Sequence, residues 1–286
     1  MVVALIPADP TLAGTSRFIK QGPFVAYKGV LASYFLFWCL WWPIADDIFV
    51  YLYVTYWGWY TASLYFVVSF LTAYLRLGGW MLAVRLVWVG YSMAPDVEAG
   101  LADPELPSLL CECERRLIWL QCFVWNVACH CSLVIAVVYW CTLYGGESLS
   151  STDLNAHLFL AIIMIVDQML VATPMRLVNL WTTVVVGIMY MCLNGAWFFV
   201  GPVGERVIYP ILDWGKNPVE ATIVVLVVFF VLVPLFALLH YGVFRLREFL
   251  YMTCRKRVSS ANFQGDRLLD EDPDAPQTPS PATPAD

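Results

Sequence analysis

The stretch AIIMIVDQML, from Ala161 to Leu170, places one carboxylate, Asp167, in an otherwise apolar run with Gln168 beside it. An ionisable side chain inside a membrane span is costly, so such residues face the interior of a helix bundle and pair with polar groups there. We therefore expect Asp167, like His240 in the sixth span, to face the interior and to need a hydrogen-bond partner there. This pattern favours a membrane helix bundle.

The composition of the whole chain agrees with a membrane protein. Of its 286 residues, 60% are hydrophobic and 13% are charged, whereas soluble domains have about 25% charged residues. The apolar residues also occur in long blocks, which a soluble core does not need. The composition therefore excludes an ordinary soluble domain, and we expect membrane lipids, and no nucleic acid, as partners.

Six apolar blocks reach or approach the length of about 20 residues that a transmembrane helix needs. We predict an all-α bundle of six transmembrane helices over residues 27–250. Residues 1–26 are predicted to be a cytoplasmic segment, and residues 251–286 a disordered acidic, proline-rich tail. The first block is short unless Lys28 extends its ammonium group to the interface. The predicted spans are Tyr27–Ile44, Ile48–Leu75, Leu117–Leu143, Ala156–Ala172, Leu177–Val200 and Ala221–Val243, with an interfacial helix at Trp80–Tyr91.

The basic residues predict the orientation of this bundle. All but two of the 16 Lys and Arg residues fall on the same predicted side as the termini. The exceptions, Arg206 and Lys216, lie between the fifth and sixth spans. By the positive-inside rule, both termini are cytoplasmic and residues 201–218 form an outer loop. We predict a multi-pass protein of the plasma membrane or an endomembrane.

Two polar residues are predicted to share the outer half of the bilayer. Thr55 lies about 10 Å into the second span if that span begins at Ile48, and His157 lies in the first turn of the fourth. A hydroxyl and an imidazole at similar depth are the minimum for a threonine nucleophile activated by a histidine base. The alternative is structural: Thr55 bonds to its own helix backbone, and His157 is a hydrated interfacial side chain.

Further polar side chains complete the candidate set. Asn155, Asp167, Gln168, His240 and Trp57 are predicted to support the site or to satisfy polar groups inside the membrane. The sequence does not identify the oxyanion donor: the indole N–H of Trp57 or Trp59 and the phenol of Tyr56 are candidates, and the alternative is that all three are interfacial aromatic residues.

We expect no cofactor and no metal site. The two C-x-C pairs, Cys111 with Cys113 and Cys129 with Cys131, lack the usual ligand spacing.

Several motifs resemble the rolling stone family of six-span membrane proteins. These are Asn155 with His157, Asp167, TPMR at Thr173–Arg176, YPILDW at Tyr209–Trp214, and the Thr-x-Trp of VTYWGWYTASLYF that begins at Thr55. That family is similar in turn to the androgen-induced family of intramembrane threonine hydrolases, which cleave fatty acid esters of hydroxy fatty acids. The resemblance implies that Thr55 is the nucleophile and His157 the base, acting on a long-chain lipid ester.

Two other functions stay open at the level of sequence. A non-enzymatic protein in cell–cell fusion or membrane scaffolding would use the aromatic, proline-containing outer loop 201–218 as a surface for a protein partner. A transporter would use Asp167 as a proton relay, but the chain has no visible internal repeat of the kind that many transporters show.

Overall fold

A computed structural model describes residues 12–45, 48–79, 106–146 and 150–270, so the predicted interfacial helix at 80–91 lies outside the described residues. The described chain is almost entirely helical, and six of its helical segments are long and apolar enough to cross a membrane. The prediction of an all-α, multi-pass membrane protein is confirmed. The chain forms two compact units, residues 1–245 and 246–286.

The six spans, numbered 1 to 6 in chain order, combine α-helices with short π-helical or 3-10 turns. The spans are Gln21–Ile44, Val54–Gly78, Arg115–Leu143, Ser151–Leu170, Leu177–Val200 and Pro218–Arg255. The α-helices are Gln21–Ala45, Val54–Tyr74, Leu106–Val138, Ser151–Leu154, Leu160–Leu170, Leu180–Val200, Pro218–Val227 and Val233–Asp270. The π-helical turns are Leu75–Gly79, Tyr139–Leu143, Asn155–Phe159 and Val228–Leu232, and the 3-10 turns are Ile48–Leu52, Leu177–Asn179 and Pro210–Leu212.

We call the end of the bundle where spans 2, 4 and 6 begin the outer end, after the predicted orientation. The predicted starts of two spans there were wrong. Ile48–Leu52 is a separate 3-10 turn, and the extended backbone of Tyr53 (φ −90°, ψ 131°) restarts the chain as a new helix at Val54. Span 4 begins early, at Ser151, because Ser150 and Asp153 form a capping box. Thr55 therefore lies in a first turn, and His157 about one turn deeper than expected.

A buried ion pair joins spans 1 and 4. Lys28 and Asp167 are both fully buried, and the ammonium donates to the Asp167 carboxylate. The Tyr65 hydroxyl of span 2 donates to the other carboxylate oxygen at 2.6 Å. The Tyr27 hydroxyl donates at 3.1 Å to the oxygen that Lys28 also contacts. Lys28 does not need to reach the interface for span 1 to be long enough, because the helix begins at Gln21 and leaves Lys28 well inside the bundle.

Aromatic rings surround this pair and continue as the core between spans 1 and 2. The Lys28 ammonium lies 4.6 Å from the ring centroid of Tyr65 and 5.1 Å from that of Phe66, a distance at which the electron-rich faces attract a cation. Towards the outer end, Phe35 packs on Phe66 and Trp59 with ring centroids 4.8 and 4.5 Å apart.

Gly58 of span 2 leaves room for the side chain of Ile135 in span 3. A Cβ at position 58 would overlap Cδ1 of Ile135. Small residues at such contacts are common in membrane bundles, where helices associate through van der Waals packing. On the outside of the bundle, large apolar side chains such as Leu40, Phe199 and Phe230 are more than two-thirds exposed, as expected of surfaces that face lipid.

Two helices extend beyond their spans. Helix Leu106–Val138 begins before span 3 and contains Cys111 and Cys113. The last helix runs to Asp270, past the predicted start of the tail at residue 251, and residues 271–286 lie outside the described residues.

We predict that each charge of the buried pair depends on the other. Lys28→Met or Asp167→Asn alone leaves one unpaired charge, which costs about 3–5 kcal/mol and should lower the unfolding temperature of the detergent-solubilised protein. The double variant should lose less than the two single losses combined. Lys216→Met is the control: Lys216 is 87% exposed and 3.9 Å from Asp213, so little change is expected. Additive losses in the double variant would contradict this account.

Candidate active site

A cavity of about 140 Å³ lies inside the bundle, and residues of spans 2 to 6 and of the outer loop line it. Its wall is mostly Val, Ile, Leu and Met side chains. None of the described residues that line it is a Lys, Arg, Asp or Glu. Thr55 and His157 both line this cavity, which brings the two predicted catalytic residues to one space. An apolar pocket with few polar groups is the usual form of a site for an apolar ligand.

Thr55 is the second residue of helix Val54–Tyr74 and is 7% exposed. Thr61 and Thr72 of the same span each donate to the carbonyl four residues back, whereas Thr55 makes no such bond among the described residues. The first backbone N–H groups of this helix are already bonded: that of Val54 donates to the Tyr209 hydroxyl, and those of Tyr56 and Trp57 donate to the Tyr53 carbonyl. The positive end of the helix dipole still favours a negative charge beside the Thr55 hydroxyl.

Tyr209 of the outer loop reaches the same helix end. Its hydroxyl accepts a hydrogen bond from the Val54 N–H at 3.1 Å, and the residue lines the cavity with Ile211 and Leu212. Burial raises the pKa of Tyr209 to about 12, although hydrogen bonds with the Thr55 side chain and the Val54 and Thr55 backbone partly lower it. The phenol therefore keeps its proton at neutral pH and can donate it to a group beside Thr55.

His157 is held by stacking rather than by a hydrogen bond. Its ring lies parallel to the ring of Tyr139, with centroids 3.5 Å apart and planes inclined by 3°. Tyr139 donates to Asp153 at 2.7 Å, which anchors the stack to the first turn of span 4. Within the described part of the chain, Nδ1 of His157 is buried and has no hydrogen-bond partner. A buried unpaired nitrogen costs about 1–3 kcal/mol, so its retention is compatible with a role in binding or catalysis.

Thr55 and His157 do not bond to each other within the described residues. Catalytic hydrogen bonds are often long or unformed in the empty enzyme and tighten when substrate binds. The arrangement provides a hydroxyl, an imidazole with a free lone pair and a phenol around one apolar space, which are the groups that acyl transfer requires.

The indoles that were candidates for the oxyanion donor are already engaged. Trp57 donates its Nε1–H to the carbonyl of Tyr51 at 2.9 Å, and Trp59 donates to the carbonyl of Ala156 at 3.3 Å. Since an indole has one N–H, neither is free to bind an oxyanion, which excludes both candidates.

The other predicted polar residues lie outside the cavity wall. Asn155 accepts from the Tyr34 hydroxyl at 2.8 Å, which joins spans 4 and 1. Gln168 donates to the carbonyl of His240 at 2.7 Å, and its Oε1 lies 2.6 Å from Nδ1 of that ring. Nε2 of His240 lies 2.8 Å from the carbonyl of Cys129. Gln168 and His240 thus join spans 3, 4 and 6, while Asp167 belongs to the ion pair with Lys28.

A second hydroxyl–imidazole pair was not predicted from the sequence. Nδ1 of His130 in span 3 lies 2.8 Å from Oγ1 of Thr183 in span 5, and Thr183 lines the cavity. Tyr209 was also missed as a site residue, although its motif had carried the family resemblance. In the sequence, the polar His130 inside an apolar run could have indicated this pair, but no feature indicated that Thr183 is its partner.

We predict that Gln168→Leu destabilises the bundle, because it leaves His240 buried without its side-chain partner. The expected cost is about 1–3 kcal/mol, seen as a lower unfolding temperature. Gln121→Leu is the matched control, since Gln121 is equally buried but its Oε1 has no partner among the described residues and its single bond, to Ser69, is 3.4 Å long. Equal losses in the two variants would argue against a special role for the Gln168–His240 contact.

Comparison with known proteins adds no identification: no family model, no curated protein and no solved structure matches this chain.

Proposed function

We propose that this chain is an intramembrane hydrolase of lipid esters, with Thr55 as nucleophile and His157 as general base and then general acid. The observation that supports this proposal is that Thr55 and His157, from spans 2 and 4, line one apolar cavity inside the bundle. The free Nδ1 of His157 and the absence of a helical backbone bond at Thr55, both within the described residues, add to it.

The reaction follows the acyl-transfer pattern. Oγ1 of Thr55 attacks the ester carbonyl carbon while its proton passes to His157. The tetrahedral intermediate then expels the alcohol, which takes that proton from His157, and leaves an acyl-threonine. Water attacks the acyl carbon with His157 again taking a proton, and Thr55 leaves with that proton as the fatty acid is released. Each proton that His157 accepts is returned in the following half-reaction.

Two groups support the developing oxyanion in this proposal. Tyr209 keeps its proton, as its raised pKa implies, and its hydroxyl lies at the N-terminus of the helix that carries Thr55. The dipole of that helix is the second source of positive potential, because its positive end lies at Thr55. In a cavity that excludes water, such fixed donors are worth more than they are in solution.

The substrate class follows from the wall of the cavity. Side chains such as Val134, Val138 and Met191 offer apolar contact, and no described lining residue carries a carboxylate or an ammonium group. A long-chain ester fits such a wall, because its acyl chain replaces lipid contacts with apolar protein contacts while its carbonyl reaches the polar end.

A non-enzymatic role in fusion or scaffolding is the alternative. Outer loop 201–218 contains exposed apolar residues, including Val203 at 88% exposure, so it also offers a surface for a protein partner. A serine- and threonine-reactive fluorophosphonate separates the two functions, since covalent capture at Thr55 requires an activated hydroxyl.

We predict that purified protein cleaves long-chain esters and that Thr55→Ala reduces turnover to the uncatalysed level. His157→Gln should lower kcat by about 10²- to 10⁴-fold, because the proton acceptor is lost. Thr61→Val is the control and should retain activity, since that hydroxyl donates to the Trp57 carbonyl. Ester hydrolysis and fluorophosphonate labelling measure these effects. Unchanged turnover in Thr55→Ala, or labelling at Thr183 instead of Thr55, would refute the assignment.

We predict that Tyr209→Phe lowers kcat by about 10²-fold with a smaller change in KM, because a donor to the transition state is lost while the ring is retained. Tyr53→Phe is the matched control. Its ring packs against Tyr209 with centroids 5.6 Å apart, but it is not among the described residues that line the cavity. Steady-state kinetics of the wild type and the two variants measure this effect. A wild-type kcat in Tyr209→Phe would show that the phenol does not contribute to catalysis.

A further inference from the structure

The hydrogen bond of Thr183 differs from those of five other threonines in the spans. Thr61, Thr72, Thr142, Thr182 and Thr222 each donate to a carbonyl three or four residues back in their own helix. Thr183 instead bonds to an imidazole on another span while it lines the cavity. The carbonyl that it would otherwise use, that of Asn179, accepts from Thr182.

The Thr183 hydroxyl keeps hydrogen-bonding capacity that the pair does not use. A hydroxyl has one donor and two acceptor sites. If Nδ1 of His130 accepts the Thr183 proton, the oxygen retains acceptor sites, and if Nδ1 carries a proton, the hydroxyl proton is free. Whichever tautomer is present, the Thr183 hydroxyl can make one more hydrogen bond to a group in the cavity.

Two spans independently give the distance along the bundle between the His130–Thr183 pair and the level of Thr55 and His157. On span 3, nine residues separate His130 from Tyr139, which stacks on His157, and this corresponds to about 13 Å along the axis. On span 5, seven residues separate Thr183 from Tyr190, whose hydroxyl bonds to the Leu52 carbonyl just before span 2, and this corresponds to about 10 Å. The cavity is thus polar at two levels, with an apolar wall between them.

The cavity wall between the level of Thr55 and that of Thr183 is apolar and therefore suits an alkyl chain. Val134 and Ile135 face it from span 3, Gly187 from span 5, and Val228 and Phe229 from span 6. Since no described lining residue is a Lys or Arg, a carboxylate at the inner level would lack a compensating charge, which makes it costly to bury. A neutral hydroxyl would complete the hydrogen bonding of Thr183 without that cost.

We propose that Thr183, positioned by His130, is a subsite for a neutral hydroxyl group carried on the acyl chain of the lipid, about 10–13 Å from its ester carbonyl. The orientation of the ligand rests on the proposed function, because the ester is placed at Thr55. The hydrogen-bonding capacity of Thr183 does not depend on hydrolysis. The subsite makes the cavity selective for hydroxylated over plain acyl chains, since a plain chain leaves the hydroxyl of Thr183 without its additional partner.

Binding to a Thr55→Ala background tests the subsite without turnover. A saturated long-chain methyl ester and a series of the same ester, each with one hydroxyl at a different carbon, compete with a fluorescent fatty acid for the purified protein in detergent micelles. We expect about five- to tenfold tighter binding for hydroxyls at one region of the chain, as one added hydrogen bond implies. Equal affinity at every hydroxyl position would overturn the proposal.

Variants of Thr183 show whether that residue causes the preference. Adding Thr183→Val should abolish it, while the plain ester should bind at least as tightly as before, because no hydroxyl is then left without a partner; retained binding of the plain ester also reports correct folding. Thr183→Ser should keep the preference, and so should Thr182→Val, because Thr182 bonds to its own helix. A preference that persists in Thr183→Val would overturn the proposal.

Hydrolysis by the protein with wild-type Thr55 is measured separately. A hydroxyl preference without ester cleavage would refute the proposed function but not the subsite. Ester cleavage without a hydroxyl preference would refute the subsite but not the proposed function.

Discussion

The ion pair between Lys28 and Asp167 is the constraint on which the rest of the bundle depends. Two charges buried among apolar helices are tolerated only if each compensates the other and the remaining hydrogen-bonding sites are filled. Tyr65 and Tyr27 fill those of the carboxylate. Because these groups come from spans 1, 2 and 4, the pair fixes the rotation of all three helices.

The polar groups inside the bundle divide into two kinds. Asn155, Gln168 and His240 have short hydrogen bonds to partners on other spans, and their effect is to hold helices together. Thr55, His157 and Thr183 line the cavity and keep unused hydrogen-bonding capacity within the described residues. A ligand with oxygen atoms in this cavity would give these three side chains the hydrogen bonds that apolar surroundings cannot supply.

Hydropathy was sufficient to predict the six spans, because their length and apolar content follow from the thickness of the bilayer. It did not predict the break at Tyr53, since apolar and aromatic residues continue across it. The partner of Asp167 was also beyond prediction, because pairing depends on how each helix is rotated. The shared cavity of Thr55 and His157 agrees with the expectation of similar depth, although both depths were misjudged. Tyr209 belongs to a loop, and no periodic pattern relates a loop residue to a helix end.

The outer loop forms the roof of the cavity through Tyr209, Ile211 and Leu212. Trp214 bonds to Asn194, and Trp197 bonds to the carbonyl of Glu205, so the loop is tied to the end of span 5 by two indoles. In the proposed reaction, the acyl-threonine is hydrolysed by water, which the core of the bilayer does not supply. Movement of this loop would admit water to the cavity at the outer end without separating any helices. Water and lipid would then enter the cavity by different routes.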